Sequence, residues 1–403
     1  MSSVFWTYTN TSCTNPSYVT IEVMNRKIAF FTLSLIIFTE VLGFSLILPY
    51  LSFLARDLGL SAFEVGLLMS IFSLCQLFAA PIIGQLSDIK GRRTMLIISQ
   101  ASTVIGFFLL AIAKTPTILF LSRIVDGLFG SNMTLTKAYV TDITTKRERR
   151  VFFGKMEAIN AVGLFIGPAV GGFLAKVNYS IPAFLATFVS TIAFVLTYFY
   201  LGETIKTKKD ALVDLNRLFP VIKTEELLTN EAVKRLVIKY FLFIFSFTLI
   251  SSNIGLYVQY KLNVGPENIG LLFLIVGGIR IIFQTLIYPR LIKKYSNKQI
   301  YCYGGIILGI AMLLMSAIVS VNSLYLMAIL LAFGSSLTYP AIHIEIANRS
   351  DRRTRGLFNG ITDSIGSLAQ IIAPFLGGLL INLNLSLFIG VFAAVLIFYT
   401  LKL

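Results

Sequence analysis

The sequence predicts an all-α integral membrane fold of twelve transmembrane helices in two six-helix, pseudo-symmetric halves. Three observations predict it. Of 403 residues, 56% are apolar and only 13% are charged, and the mean hydropathy of +0.82 lies far outside the range of a soluble domain. Apolar stretches of about 20 residues, enough to cross a hydrocarbon core, recur along the whole chain. A segment near residue 360 also repeats one near residue 160.

In chain order, the spans are expected near 28–51, 63–85, 94–113, 117–141, 151–174 and 181–201, then 236–258, 268–289, 299–319, 323–346, 357–382 and 385–402. The organisation read from them is a tail (1–26), a first half (27–202), a central linker (203–235) and a second half (236–403). The tail is polar through residue 23 and lacks the apolar core of a secretory signal. Met24-Asn-Arg-Lys resembles a natural start, so the preceding stretch reads as a disordered extension. The linker is charged and poor in apolar runs; a surface helix over 224–236, capped by Thr229 or Asn230, is expected there. Cys13 lies in the tail and Cys75 and Cys302 in apolar spans, which indicates neither disulfides nor a metal site.

The formal charge of +15 is distributed as membrane topology requires. About 27 of the 34 Lys and Arg fall on the termini and on loops after even-numbered spans, and about four on the opposite loops. Both termini are therefore expected in the cytoplasm, and the basic residues read as topology signals and lipid-headgroup contacts rather than a nucleic-acid surface.

The repeat is explicit when RRVFFGKMEAINAVGLFIGPAVGG (149–172) is laid over RTRGLFNGITDSIGSLAQIIAPFLGG (353–378). Gly154 falls on Gly360, Glu157 on Asp363, Pro168 on Pro374, and Gly171-Gly172 on Gly377-Gly378. Span 5 thus matches span 11, which implies parallel halves.

Three motifs carry a family resemblance. In span 5, Gly154, Gly163, Gly167-Pro168 and Gly171-Gly172 strip one helix face so that another helix can approach, while Pro168 invites a bend. Their spacing resembles the antiporter signature of the major facilitator superfamily. Gly84-Gln-Leu-Ser-Asp88-Ile-Lys-Gly91-Arg92-Arg93, between spans 2 and 3, resembles that family's hallmark loop, and Asp142 the second acid of its charge relay. The resemblance makes these residues a conformational latch, with Asp88 pairing with Arg92 or with the start of span 11; fixing topology is the alternative. The second-half counterpart, Tyr288-Pro-Arg-Leu-Ile-Lys-Lys, is degenerate. Leu119-Phe-Leu-Ser-Arg123-Ile-Val-Asp126-Gly127 resembles the family's proton-transfer segment, with Asp126 where glutamine is usual.

Charges inside hydrocarbon are the candidate coupling and substrate residues. Glu40 lies about 20 Å into the first span, where low dielectric favours the neutral acid that a group cycling a proton needs. A structural pair with Arg123 or Arg280 is the alternative. Arg123 and Asp126, three residues apart, either serve the cavity or neutralise each other. Polar groups on span 7 (Ser251, Ser252, Asn253, Tyr257) and span 10 (Ser335, Ser336, Thr338, Tyr339) are expected to complete a substrate surface. Glu157, Asp363 and His343 are secondary coupling candidates, whereas Lys137 and Glu345 read as interface charges. Spans 3, 6, 9 and 12 carry essentially no charge, as helices outside a cavity should.

The resemblance implies a monomeric plasma-membrane exporter of small amphipathic or cationic molecules, driven by protons and without another cofactor. A symporter or facilitator taking up a sugar or organic anion, which Arg123 and Arg280 in the cavity could serve by attracting negative charge, is the alternative, which direction of flux separates; a membrane receptor is a third reading. No metal-ligand cluster, nucleotide loop or activated nucleophile points to an enzyme.

Overall fold

The computed structural model describes residues 26–205, 231–349 and 355–402, and among them every regular element is helical. The helices follow the expected spans: α1 (Arg26–Ile47), α2 (Ala62–Lys90), α3 (Arg92–Ala111), α4 in two pieces (Pro116–Phe129 and Asn132–Ile143), α5 (Lys146–Val177) and α6 (Ser180–Tyr200). After the linker come α7 (Glu231–Leu262), α8 (Pro266–Ile282, continuing through a π-helical turn to Lys294), α9 (Asn297–Ser316), α10 (Val321–Arg349), α11 (Arg355–Asn382) and α12 (Leu387–Thr400). Ten are long and apolar enough to cross a membrane. The other two are α4, whose pieces have 14 and 12 residues, and α12, with 14. The expected first span runs past its helix: α1 stops at Ile47, and a short helix, Leu51–Asp57, follows. Cys13, Thr229 and Asn230 lie outside the described residues.

Local signals start several helices. Ser61 and Glu64 form a reciprocal capping box on α2, as do Thr145 with Glu148 on α5 and Ser296 with Gln299 on α9. In α8, Pro289 has no N–H to offer the Thr285 carbonyl, and the chain widens into the π turn Phe283–Ile287 just before it.

Packing repeats with an offset of six helices. α1 lies against α5 and α6, α3 against α4 and α6, and α2 against α4; likewise α7 lies against α11 and α12, α9 against α10 and α12, and α8 against α10. The two sets meet where α2 packs on α11 and α5 on α8. At the periphery, α6 exposes Phe184, Phe188 and Phe199 and α12 exposes Phe388 and Val395, the surface a lipid-facing helix presents.

Candidate functional site

A break in α4 organises the centre of the first half. Gly130 and Ser131 leave the helical ladder, with ψ of 77° and 34°. Backbone groups freed at membrane depth must find partners. Gln76 of α2 donates to the Gly130 carbonyl at 3.1 Å, and the Ser131 N–H donates to Ser99 Oγ of α3 at 2.8 Å. Fully buried Asn132, the next residue, then donates from Nδ2 to Glu40 Oε2 at 2.6 Å and to Thr103 Oγ1 at 3.0 Å. Thr103 hydrogen-bonds Asp126 in turn. Carboxylates from α1 and α4 are therefore joined by one chain of hydrogen bonds.

Arg123 balances only one of them. Its Nη1 stands 3.8 Å from Asp126 Oδ2, both side chains being buried, and its guanidinium lies 5.8 Å from the centre of the Phe107 ring. Its Nη2 is buried without a hydrogen-bond partner. Among the described residues Glu40 forms no ion pair, so the alternative pairing with Arg123 or Arg280 is not what the structure contains; Asn132 holds the carboxylate instead.

Two cavities lie between the halves, both bordered by Leu48, which directly follows α1. The smaller, about 170 Å³, is reached by Arg123, Met69, Phe72, Ser252 and Gln370. The larger, about 430 Å³, is reached by Arg280, Tyr339, Phe165, Phe247, Ser251 and Gln284. Neither draws a wall from α3, α6, α9 or α12.

Of the polar residues expected on α7 and α10, only Ser251, Ser252 and Tyr339 border these cavities. Asn253 is a correction: it is 1% exposed, donates to the Leu249 and Ala373 carbonyls, and packs against Gly377 of α11. Tyr257, Ser335, Ser336 and Thr338 are buried between helices as well. One residue turns a helix by about 100°, so neighbours in sequence face different ways. His343 packs against Tyr339 with ring centres 4.5 Å apart and planes tilted by 51°, Glu345 pairs with Lys239 of α7 at 3.3 Å, and Lys137 is exposed. Glu157 and Asp363 fall on α5 and α11, but their side chains lie outside the described residues.

The α2–α3 corner is closed by charge. Arg92 pairs with Asp88 and with Asp142 of α4, the latter at 3.0 Å, and Asp142 also accepts from Thr204 at 3.1 Å. Glu203, which sequence reasoning missed, caps α3 by accepting from the N–H of Arg92 at 2.7 Å. Gly91 makes the turn at φ 107°, where any side chain would also strike Glu203. Gly84 is a second correction: it sits inside α2 rather than in the reversal, with ordinary space around it.

The span 5 glycines divide their work. A Cβ on Gly163, Gly167 or Gly171 would strike Val41, Ser45 or Leu46, so their partner is α1, and Ser45 Oγ donates to the Gly163 carbonyl at 2.9 Å. Gly172 instead meets Gly270 of α8 and Gly378 meets Gly66 of α2, while the carbonyls of Pro168 and Pro374 crowd Gly270 and Gly66. Proline and double glycine thus occupy equivalent places in the two halves. These contacts close the bundle at the end away from the basic loops. Gly154 of α5 and Gly366 of α11, nearer the basic end, face open space.

The model of the Major Facilitator Superfamily matches residues 33–283 and, in a second overlapping match, 236–403. The chain belongs to the Major Facilitator Superfamily. As a member of that superfamily it is a multi-pass membrane transporter and not an enzyme. It is 26% identical over 366 residues to the Quinolone resistance protein NorA of Staphylococcus aureus (strain MRSA252), covering 90% of this chain and 92% of that protein. It is 28% identical over 369 residues to Multidrug resistance protein 2 of Bacillus subtilis (strain 168), covering 90% and 91%. Among solved structures, the nucleoside transporter NupG superposes with a TM-score of 0.72 at 14% identity (93% of this chain, 98% of that one). The inward-facing, unoccupied bacterial homolog of the human lysosomal transporter Spinster superposes with a TM-score of 0.71 at 13% (89% and 83%). At these identities the structures speak for the fold of the superfamily alone.

Besides Glu203, sequence reasoning missed Asn132, Thr103, Ser99 and Gln76, which gather at the α4 break. Its signal was present in Gly127-Leu-Phe-Gly130-Ser131-Asn132, a turn-forming composition inside an apolar span.

Proposed function

We propose that this transporter exports small amphipathic molecules across the plasma membrane in exchange for protons, acting as a monomer, with its basic end and both termini in the cytoplasm. The observation that carries the reading is the Glu40–Asn132–Thr103–Asp126 network beside Arg123. Arg123 offsets one carboxylate, which leaves Glu40 without a counter-ion among the described residues. An unpaired charge in a low dielectric is costly, and a proton on Glu40 removes that cost. Protonation from the outside would release substrate and let the halves rock; substrate arriving from the cytoplasm would displace the proton. The packing of the halves at the non-basic end supports an inward-facing state of this cycle. A proton moving down about 150 mV supplies roughly 3.5 kcal/mol, enough to hold a neutral substrate gradient of a few hundredfold.

The name of the staphylococcal relative makes quinolones the first compounds to try. In weakly buffered detergent solution with an indicator dye, wild-type protein is expected to release about one proton for each quinolone bound, and Glu40→Gln none. Binding to wild type without release, or release undiminished in Glu40→Gln, would remove Glu40 from the cycle.

A further inference from the structure

Arg280 is a half-buried cation to which the proposed cycle gives no task. It sits on α8, one turn before the π segment, and borders the larger cavity. Its guanidinium lies 4.7 Å from the centre of the Tyr339 ring of α10, and among the described residues it forms no ion pair. The acids with described side chains in the bundle centre, Glu40 and Asp126, are engaged by Asn132, Thr103 and Arg123. A guanidinium at membrane depth is costly without a partner, and such a residue marks a ligand or coupling site.

The rest of the cavity has the form of a ligand site. About 430 Å³ is ample for a fused-ring molecule, and Phe165, Phe247, Phe273 and Tyr339 give it flat apolar walls. Gln284, Asn160 and Ser251 add uncharged polar groups, and among the described residues no acid borders it. Arginine presents a planar fork that matches a carboxylate bidentately. A cationic head in the same place would meet only repulsion from Arg280.

We infer that Arg280 and the aromatic walls around it form an anion subsite, and that the molecules this protein carries have an aromatic body bearing a carboxylate or similar anionic group. This rests on the transport reading above; within the amphipathic or cationic class expected from the sequence it favours amphipathic molecules with an anionic group. The site joins the halves, since its walls come from α5 on one side and from α7, α8 and α10 on the other. Charge recognition there would therefore report on closure around the bound molecule.

The test is equilibrium binding to purified protein in detergent, using three probes of one shape: 1-naphthoate, 1-naphthamide and 1-naphthylmethylammonium. Wild type is expected to bind naphthoate at least tenfold more tightly than either of the others. Arg280→Gln is expected to lose at least tenfold in naphthoate affinity while binding naphthamide as before, and Arg280→Lys to fall between. Retained naphthamide binding shows that the variant is folded. A wild type that does not prefer the anion, or an Arg280→Gln variant that binds it unchanged, overturns the proposal. No step depends on a proton gradient, so failure of proton exchange in vesicles with naphthoate binding intact would count against the antiport reading alone.

Discussion

Glu40 and Asp126 are held at different costs, and the difference lies in what each touches. Asp126 has Arg123 at 3.8 Å and Thr103, whereas Glu40 has Asn132 as its hydrogen-bond donor. A hydrogen bond to a charged group is worth about 1.5–3 kcal/mol. Asn132→Ala is accordingly expected to slow gradient-driven transport by about tenfold or more, read as initial rates in vesicles at matched protein content. An unchanged rate would mean that the carboxylate needs no fixed orientation. Glu40, Arg123 and Asp126 were legible in the sequence because ionised groups are rare in hydrocarbon. Asn132 was not, because an amide is tolerated on any apolar helix that offers it a partner, and its partners come from α1 and α3. For the same reason Asn253 was assigned to the cavity although it faces α11: in an all-apolar span, hydropathy does not reveal which side faces inward.

At the scale of elements, nearly every span was readable from length and composition, and α4 shows the limit. A 20-residue window averages over Gly130 and Ser131, so two short helices look like one. The break survives because Gln76 and Ser99 satisfy the freed backbone, which only the folded neighbours disclose. The α5 glycines were legible as a small-residue face, but their partner was not. A Cβ on Gly167 would stand 1.8 Å from Ser45 Oγ and 2.8 Å from Ser45 Cβ. Gly167→Val must push α1 away, an overpacking cost of about 1–3 kcal/mol, and is expected to lower the melting temperature in detergent. Gly154→Ala, with nothing within 4 Å, is expected to leave it unchanged or raise it. Equal melting temperatures for the two variants would argue against the close α1–α5 contact.

The whole molecule reads as a duplication used twice over. Gly172 with Gly270 and Gly378 with Gly66 make equivalent close contacts between the halves, which the alignment of the double glycines anticipated without naming either partner. Glycine against glycine places backbones in contact with no side chain to interlock, so the same surfaces can part and meet again as the halves rock. Glu40 lies in the first half and the cavity with Arg280 spans both, so in the proposed cycle protonation and binding are separate events joined by that motion. The most direct measurement of this coupling uses proteoliposomes with an imposed pH gradient, in which accumulation of a labelled substrate and its exchange without a gradient are followed side by side. Glu40→Gln is expected to lose gradient-driven accumulation by at least tenfold while exchange continues; accumulation equal to that of wild type would contradict Glu40 as the group that carries the proton.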